Sequence, residues 1–504
     1  MIRLALGTVW ARRGGLAGLL AAVFLGVMFI SGTLVLGDTF EAGAESGLAR
    51  ELGTALEVFG LVAVVPTAFT VHNAFAVTAA RRVRESALLR AVGASRAQVG
   101  ALAAVEALVA GVGGTLAGLA GGVGCAAMLE RVLDLTARGV AVTGGTLVLA
   151  ALAGVSAALA AALPTVLRGA DGEGGVSEAR VLVGAAGGAV AVGAVVWGGL
   201  AATPAMAAAG AIMLLGAMAL LGPVALRSAA ALAGAVAVRL RRTPGVLACD
   251  GASRSPRRTA GAATALMAGI GMATLLTVYA ESLRASLEDG LPGSFRGGLV
   301  VDGGTSGFDP RLAAEIAALP QVEAVAEVRT RQGRDSVAFV RPAGAAPDDA
   351  ASAIAVLARP YGAPTVREHS AYAADVDAFL GVVYALFALA LATTLPGTAG
   401  ALALGVRERA REIGLLRAVG ATRAQVRAMV RWEALTVALS GTAGGAALGL
   451  FTGWALTGAQ ERPFTAPPVP LAAVALAGAA ACAAAALPAA RRASRLTIRD
   501  AASG

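Results

Sequence analysis

Long apolar stretches separated by short arginine-bearing segments are the main pattern of this chain. A helix of about 20 residues crosses the roughly 30 Å hydrocarbon core of a bilayer, and ten stretches reach that length. Thr203 and Pro204, between the fifth and the sixth, fit either a short outer loop or the apex of a re-entrant pair. The pattern predicts an all-α polytopic membrane protein with about ten transmembrane helices. The predicted spans are residues 16–36, 56–80, 101–129, 145–167, 181–201, 204–226, 260–280, 379–406, 430–454 and 471–490.

The composition excludes a soluble globular protein. Of the 504 residues, 57% are hydrophobic and 14% are charged, and the mean hydropathy is +0.74. Arginines concentrate in alternate segments between the spans, and basic residues are retained on the cytoplasmic side of short loops. Both termini are therefore expected in the cytoplasm. The net charge of +9 then reflects topology and contact with anionic lipid headgroups, and it does not indicate nucleic-acid binding.

One polar segment occurs twice, 327 positions apart. Residues 82–99 read RVRESALLRAVGASRAQV, and residues 409–426 read RAREIGLLRAVGATRAQV. Each copy lies between two apolar stretches on the predicted cytoplasmic side, and the same displacement relates Glu106 to Glu433. An internal duplication explains this constant register. The chain is therefore predicted to contain two homologous helical bundles.

Each copy of the segment is predicted to form a short cytoplasmic helix with an apolar edge. Leu88 and Leu89 follow Glu85 by about one helical turn, so they can insert into a partner while charged side chains form contacts around them. Gly93 and its counterpart Gly420 fit the C′ position that ends a helix. The alternative is an amphipathic helix that binds only the lipid surface. The duplication, which includes the glycine and the glutamine, favours a protein partner.

Two further sets of residues follow the duplicated helices. Glu106 and Glu433 are expected in the first turn of the next span, where a carboxylate complements the helix dipole, with a switch role as the alternative. Glycines at a spacing of four favour close helix packing in lipid, and the alternative is that these spans move against each other. The glycines are Gly114, Gly118, Gly122, Gly441, Gly445 and Gly449.

A small extracytoplasmic α/β domain is predicted between the seventh and eighth spans. Residues 298–302, 322–328 and 336–340 have the pattern of strands, and residues 309–319 and 348–357 have the pattern of helices. The predicted organisation is an anchor helix with a short outer loop (1–55), a first three-span repeat (56–168), a linker with two spans (169–259), the seventh span (260–281), the extracytoplasmic domain (282–375) and a second three-span repeat (376–504).

The residue content limits the chemistry that this chain can perform. All 41 basic residues are arginine, so a phosphate-binding loop of the Walker A type, which needs a lysine, cannot form. His72 and His369 are the two histidines, and a metal site is not expected. No arrangement of nucleophile and base is recognisable. The chain is therefore predicted not to be an enzyme, and any energy source is expected to lie in a partner.

The duplicated segment resembles the signature of FtsX-like permeases, the membrane subunits of the MacB and lipoprotein-exporting LolCDE class of ABC transporters. The segments at residues 255–259 and 487–496 are also similar to that family. The resemblance implies that both duplicated helices dock onto a separate ABC-type ATPase, in two copies, which binds the ATP and Mg. The residues implied in this contact are Arg84, Glu85, Leu88, Leu89, Arg90 and Gly93 in the first repeat and Arg411, Glu412, Leu415, Leu416, Arg417 and Gly420 in the second.

The resemblance implies a permease that couples ATP hydrolysis to export or extraction of an amphipathic substrate such as a lipid, lipopeptide, peptide or drug. The alternative is a protein without a substrate that regulates an extracytoplasmic partner, such as a cell-wall hydrolase. The chain departs from many two-repeat members because the first span is followed only by the short segment 38–55. The resemblance implies the plasma membrane of a bacterium as the location of this chain. The absence of lysine and the abundance of alanine, glycine and arginine suggest a GC-rich genome.

Overall fold

A computed structural model describes residues 13–43, 47–81, 83–133, 139–168, 178–218, 220–221, 256–289, 298–302, 310–329, 336–343, 347–361, 365–460 and 462–495. Over these residues the protein consists of long helices and one small sheet, and nine of the helices are long and apolar enough to cross a membrane. The prediction of a polytopic helical membrane protein with a small sheet-containing domain is confirmed. The expected cytoplasmic loop after the sixth span, which includes Cys249, lies outside the described residues.

The helices of the first half and of the linker follow the predicted order. They are α1 (Arg13–Ala42), α2 (Gly47–Val62), α3 (Val64–Arg81), α4 (Val83–Ala91), α5 (Arg96–Leu133), α6 (Gly144–Arg168), α7 (Glu178–Leu200) and α8 (Pro204–Met218). The α8 helix is the described part of the predicted sixth span, and residues 219 and 222–226 lie outside the described residues. It forms a tight hairpin with α7, whose turn places Ala202 at a φ of 51°.

The second half contains α9 (Pro256–Asp289), the sheet domain and four further helices. The domain comprises β1 (Leu299–Asp302), α10 (Pro310–Ala317), β2 (Val322–Arg329), β3 (Ser336–Pro342), α11 (Pro347–Leu357) and β4 (Thr365–Glu368). It is followed by α12 (His369–Glu408), α13 (Ala410–Ala418), α14 (Arg423–Ala459) and α15 (Pro468–Arg495).

The sheet is antiparallel throughout and has the strand order β2-β3-β1-β4. The predicted strands and helices of this domain are present, and β4 is an addition that the sequence pattern missed. Four residues are too few to show a clear alternation of apolar and polar positions. Since α12 begins at His369, directly after Glu368, the last strand continues into a membrane-spanning helix without a linker.

The prediction of a simple outer loop at residues 38–55 is wrong. Helix α1 extends to Ala42, and α2 begins at Gly47. The carboxylate of Asp38 accepts hydrogen bonds from the Thr143 N–H at 3.0 Å and from the Thr146 hydroxyl at 3.1 Å. Thr143 precedes the first residue of α6, and its hydroxyl caps the helix by accepting from the Thr146 N–H at 3.3 Å. Asp38 holds this cap and therefore attaches the last turn of the first span to the start of the fourth.

Helix packing extends the duplication to the first and seventh spans. A β-carbon at Gly118 would lie 2.8 Å from the carbonyl oxygen of Phe24, and one at Gly445 would lie 2.6 Å from that of Met267. The glycines are 327 positions apart, whereas Phe24 and Met267 are 243 apart. All six predicted glycines follow this relation: Gly114 and Gly441 face Val23 and Leu266, Gly118 and Gly445 face Val27 and Ile270, and Gly122 and Gly449 face Ser31 and Thr274.

Two equivalent hydroxyl contacts near the sheet-domain end of the bundle come from Thr39 and Ser282, which are also 243 positions apart. The Thr39 hydroxyl accepts from the Ala141 N–H at 3.2 Å and lies 3.5 Å from its carbonyl oxygen. The Ser282 hydroxyl accepts from the Thr465 N–H at 3.0 Å and lies 3.4 Å from its carbonyl oxygen. Span 1 therefore corresponds to span 7, and the 84 residues by which the two displacements differ correspond to the sheet domain inserted in the second half.

The apolar core is continuous at the end of the bundle next to the sheet domain and divided at the end that carries α4 and α13. Phe40 packs edge-on against Phe379 with ring centroids 6.3 Å apart, and Phe59 packs against Tyr279 at 5.5 Å, so both contacts join the two halves. The same core includes Phe339 of the sheet domain. At the end of the bundle that carries the short helices, separate clusters replace it. The first half has a cluster with Leu19, Val23, Val71 and Phe75, and the second half has two clusters, one with Ala262, Leu266 and Val437 and one with Leu402, Val406, Ile413 and Val426.

Candidate functional site

The two duplicated helices, α4 and α13, end in the same backbone motif. Gly93 has a φ of +101° and Gly420 a φ of +106°, a region that L-residues with a side chain rarely adopt. The Gly93 N–H donates to the carbonyl oxygen of Arg90 at 3.0 Å, and the Ala94 N–H donates to that of Leu89 at 2.9 Å. The equivalent bonds after Gly420 measure 3.1 and 2.9 Å. Both glycines therefore occupy the predicted C′ position of a Schellman motif.

A capping box begins the helix that follows each glycine. The Ser95 hydroxyl accepts from the Gln98 N–H at 3.2 Å, while the Gln98 side chain accepts from the Ser95 N–H at 2.9 Å. Thr422 and Gln425 form the same pair of bonds at 3.2 and 2.8 Å. The sequence reasoning missed these roles, although the spacing Ser/Thr-x-x-Gln at a helix start is a recognisable signal. The Schellman motif that ends each short helix and the capping box that begins the next helix together fix the angle between the two.

Gly420→Ala is expected to lower the stability of this turn by about 1 kcal/mol, because the left-handed conformation brings a β-carbon close to the backbone. No neighbouring atom lies within 4 Å of the added carbon, so the backbone conformation alone sets the cost. Hydrogen exchange of the Ala421 N–H should accelerate about fivefold. Gly216→Ala is the control, since this glycine also has open space and has no positive φ. Unchanged exchange at Ala421 would contradict the assigned role of Gly420.

Each short helix presents an apolar strip to the outside. Leu88 and Val92 are 62% and 90% exposed, and the equivalent Leu415 and Val419 are 67% and 89% exposed. Residues four apart lie on the same face of a helix. Leu89 is also exposed, whereas Leu416 is half-buried. The most exposed apolar side chains are therefore those of Leu88 and Leu415, together with Val92 and Val419, which the predicted set of site residues did not include.

The charged residues predicted for the site surround these strips. Arg411 and Glu412 are exposed on the first turn of α13, while Arg90 and Arg417 are half-buried in the last turns of α4 and α13. The side chains of Arg84 and Glu85 lie outside the described residues. The arrangement combines apolar side chains with both signs of charge on one accessible surface, which is suited to binding a protein.

The opposite face of α13 is attached to the second bundle. Ile413 is buried in a cluster with Val426 and Val430 of α14 and with Ala486 and Ala490 of α15. The strip formed by Leu415 and Val419 is therefore directed away from the bundle that holds the helix. Through Ile413, α13 therefore packs against two spans at once.

The prediction that Glu106 and Glu433 lie in the first turn of a span is wrong. Helices α5 and α14 begin at Arg96 and Arg423, so each glutamate lies almost three helical turns after the helix start, and both are buried. The carboxylate of Glu433 lies 3.6 Å from the guanidinium of Arg409. A helix-dipole role is excluded at this depth because that effect is confined to the first turn.

Comparison with known proteins identifies the repeats. Residues 57–171 and 384–498 both match the FtsX-like permease C-terminal domain, and the two matched ranges are 327 residues apart. No curated protein matches the chain. Each matched range contains one short helix with its glycine stop, its capping box and the following glycine-striped span. Members of this family are membrane components of ABC-type permeases or act in the manner of FtsX. The chain therefore contains two copies of the FtsX-like permease C-terminal domain.

Proposed function

We propose that this protein is the permease subunit of an ABC transporter that couples ATP hydrolysis by a separate ATPase to export or extraction of an amphipathic substrate. The observation that carries the proposal is the pair of exposed apolar strips, Leu88 with Val92 and Leu415 with Val419, at equivalent positions of two rigid turns. Two equivalent docking helices require two ATPase copies. ATP and Mg would be bound by those copies, and both termini of this chain would lie in the cytoplasm of a bacterium.

The distribution of the apolar core supports this coupling. The cytoplasmic ends of the halves have separate clusters, whereas the outer ends share one core. The halves also touch near the short helices, where a β-carbon at Gly400 on α12 would lie 3.5 Å from Val77 on α3. Bringing the short helices together would therefore act on this contact and on the shared outer core. Rearrangement there would expose or close a site for an amphipathic molecule between the halves.

A second function, regulation of an extracytoplasmic protein, is favoured by the connection between α12 and the sheet domain. Helix α12 has 40 residues, which correspond to about 60 Å at 1.5 Å per residue. It begins directly after β4 and ends one residue before α13. Movement of α13 would therefore reach the domain without passing through a flexible linker, and a bound partner such as a cell-wall hydrolase would receive it.

Leu88→Glu and Leu415→Glu test the docking proposal. Each substitution is expected to weaken binding of the partner ATPase at least 100-fold, because a carboxylate replaces an apolar side chain that binding removes from water. Folding should be unaffected, since both leucines are exposed. Binding is measured with purified permease in lipid nanodiscs, together with the ATPase encoded by a neighbouring gene.

Val356→Glu is the matched control, because this valine is 62% exposed but lies in the extracytoplasmic domain. It should bind the ATPase as wild type does. If both leucine variants bind and stimulate the ATPase normally, the short helices are lipid-surface anchors and the proposed coupling is wrong.

A further inference from the structure

We infer that the buried ion pair between Arg409 and Glu433 is a positioning pair that holds the docking helix α13 at its working angle to the membrane spans. This inference rests on the proposed function and extends it to residues that do not touch the ATPase. The pair lies behind the exposed strip formed by Leu415 and Val419, on the side where α13 joins the second bundle.

Arg409 is the corner residue between two helices. Helix α12 ends at Glu408, and α13 begins at Ala410. The Arg409 backbone is bonded into both, since its N–H donates to the Gly405 carbonyl at 3.3 Å and its carbonyl accepts from the Ile413 N–H at 2.9 Å. A side chain that fixes this corner therefore fixes the direction of α13 relative to the long helix α12.

The side chain of Arg409 crosses to a third helix. Its guanidinium lies 3.6 Å from the carboxylate of Glu433 on α14, and the two side chains are only 11% and 9% exposed. An ion pair shielded from water is stronger than an exposed one, and removal of one partner leaves a poorly solvated charge. Together with the apolar contact of Ile413, the pair attaches both sides of the corner to α14.

The first repeat carries the same two residue types at the same positions. Arg82 is equivalent to Arg409 and stands between the end of α3 at Arg81 and the start of α4 at Val83. Glu106 is equivalent to Glu433 and is buried. Residue 82 lies outside the described residues, so the inference is drawn for Arg409 and Glu433 of the second repeat.

Glu433→Gln, Arg409→Gln and the charge exchange Arg409→Glu/Glu433→Arg test the pair in the complete permease with its ATPase. In Glu433→Gln and Arg409→Gln, the affinity for the ATPase should stay within about threefold because the exposed strip is unchanged. The ATP hydrolysis rate at saturating ATPase should fall at least tenfold. The charge exchange should restore that rate to within about threefold of wild type, which a loss of folding could not explain.

Asp377→Asn is the control, because it removes an exposed ion pair with Arg284, 3.7 Å long, and should leave the rate unchanged. Hydrogen exchange of the α13 amides in the permease alone should accelerate at least tenfold in Glu433→Gln. A normal rate and normal exchange in Glu433→Gln would overturn the inference while leaving the docking proposal intact. Failure of the wild-type chain to bind any ATPase would overturn both.

Discussion

Gly445→Leu is expected to prevent stable assembly of the second helical bundle. A β-carbon at this position would lie 2.6 Å from the carbonyl oxygen of Met267 and 3.0 Å from the backbone nitrogen of Gly271. Backbone atoms cannot rotate away as a side chain can, so α9 and α14 must separate. Overpacking of a rigid contact costs about 3 kcal/mol or more, and separation also removes the packing along the whole glycine stripe.

The first bundle offers an equivalent test and a matched control on one helix. Gly118→Leu should destabilise to a similar extent, because its β-carbon would lie 2.7 Å from that of Val27 and 2.8 Å from the Phe24 carbonyl oxygen. Gly124→Leu, on the same helix, has no atom within 4 Å and should leave stability unchanged. The measurement is the thermal midpoint of each detergent-solubilised variant. Equal midpoints for Gly118→Leu and Gly124→Leu would exclude close packing as the reason for the stripe.

The sequence was sufficient to predict the duplication and the spans because both depend on long-range regularities. A constant displacement of 327 positions is visible without coordinates, and a stretch of about 20 apolar residues has few alternatives to a span. The displacement of 243 positions that relates span 1 to span 7 was not visible. Those spans share little beyond small and apolar residues, so only their contacts with Gly118 and Gly445 reveal the relation.

The depth of individual polar residues could not be predicted from the same pattern. Glu433 follows arginines that resemble a helix boundary, but the capping box at Thr422 starts the helix ten residues earlier. The capping signal was present in the sequence and would have corrected the position of Glu433. The partner of Glu433 depends on the corner at Arg409 between two helices, and such a corner is set by tertiary packing.

A flexible insertion between Glu368 and His369 is expected to abolish the ATP-dependent movement of the sheet domain. Four glycine and serine residues would replace a rigid junction, since β4 and α12 are consecutive in the chain, and such linkers behave as flexible coils. The ATP hydrolysis rate should remain within about twofold, because the docking helices and the divided cytoplasmic clusters are unchanged. The movement is measured as the distance between two fluorophores, one attached at Val356→Cys in the domain and one at Val142→Cys in the first half. The three native cysteines, Cys125, Cys249 and Cys482, are replaced beforehand.

The same four residues inserted after Ala202, in the turn between α7 and α8, provide the control for this movement. That turn is outside the path from α13 through α12 to the sheet, so the ATP-dependent distance change should persist. If the insertion after Glu368 also leaves the distance change intact, the domain moves through its contact with the shared outer core, where Val300 and Phe339 pack. The rigid junction would then have no role in transmission. Loss of the movement with ATP hydrolysis retained would instead show that α12 carries the motion, and a partner of the domain could be sought with this uncoupled variant.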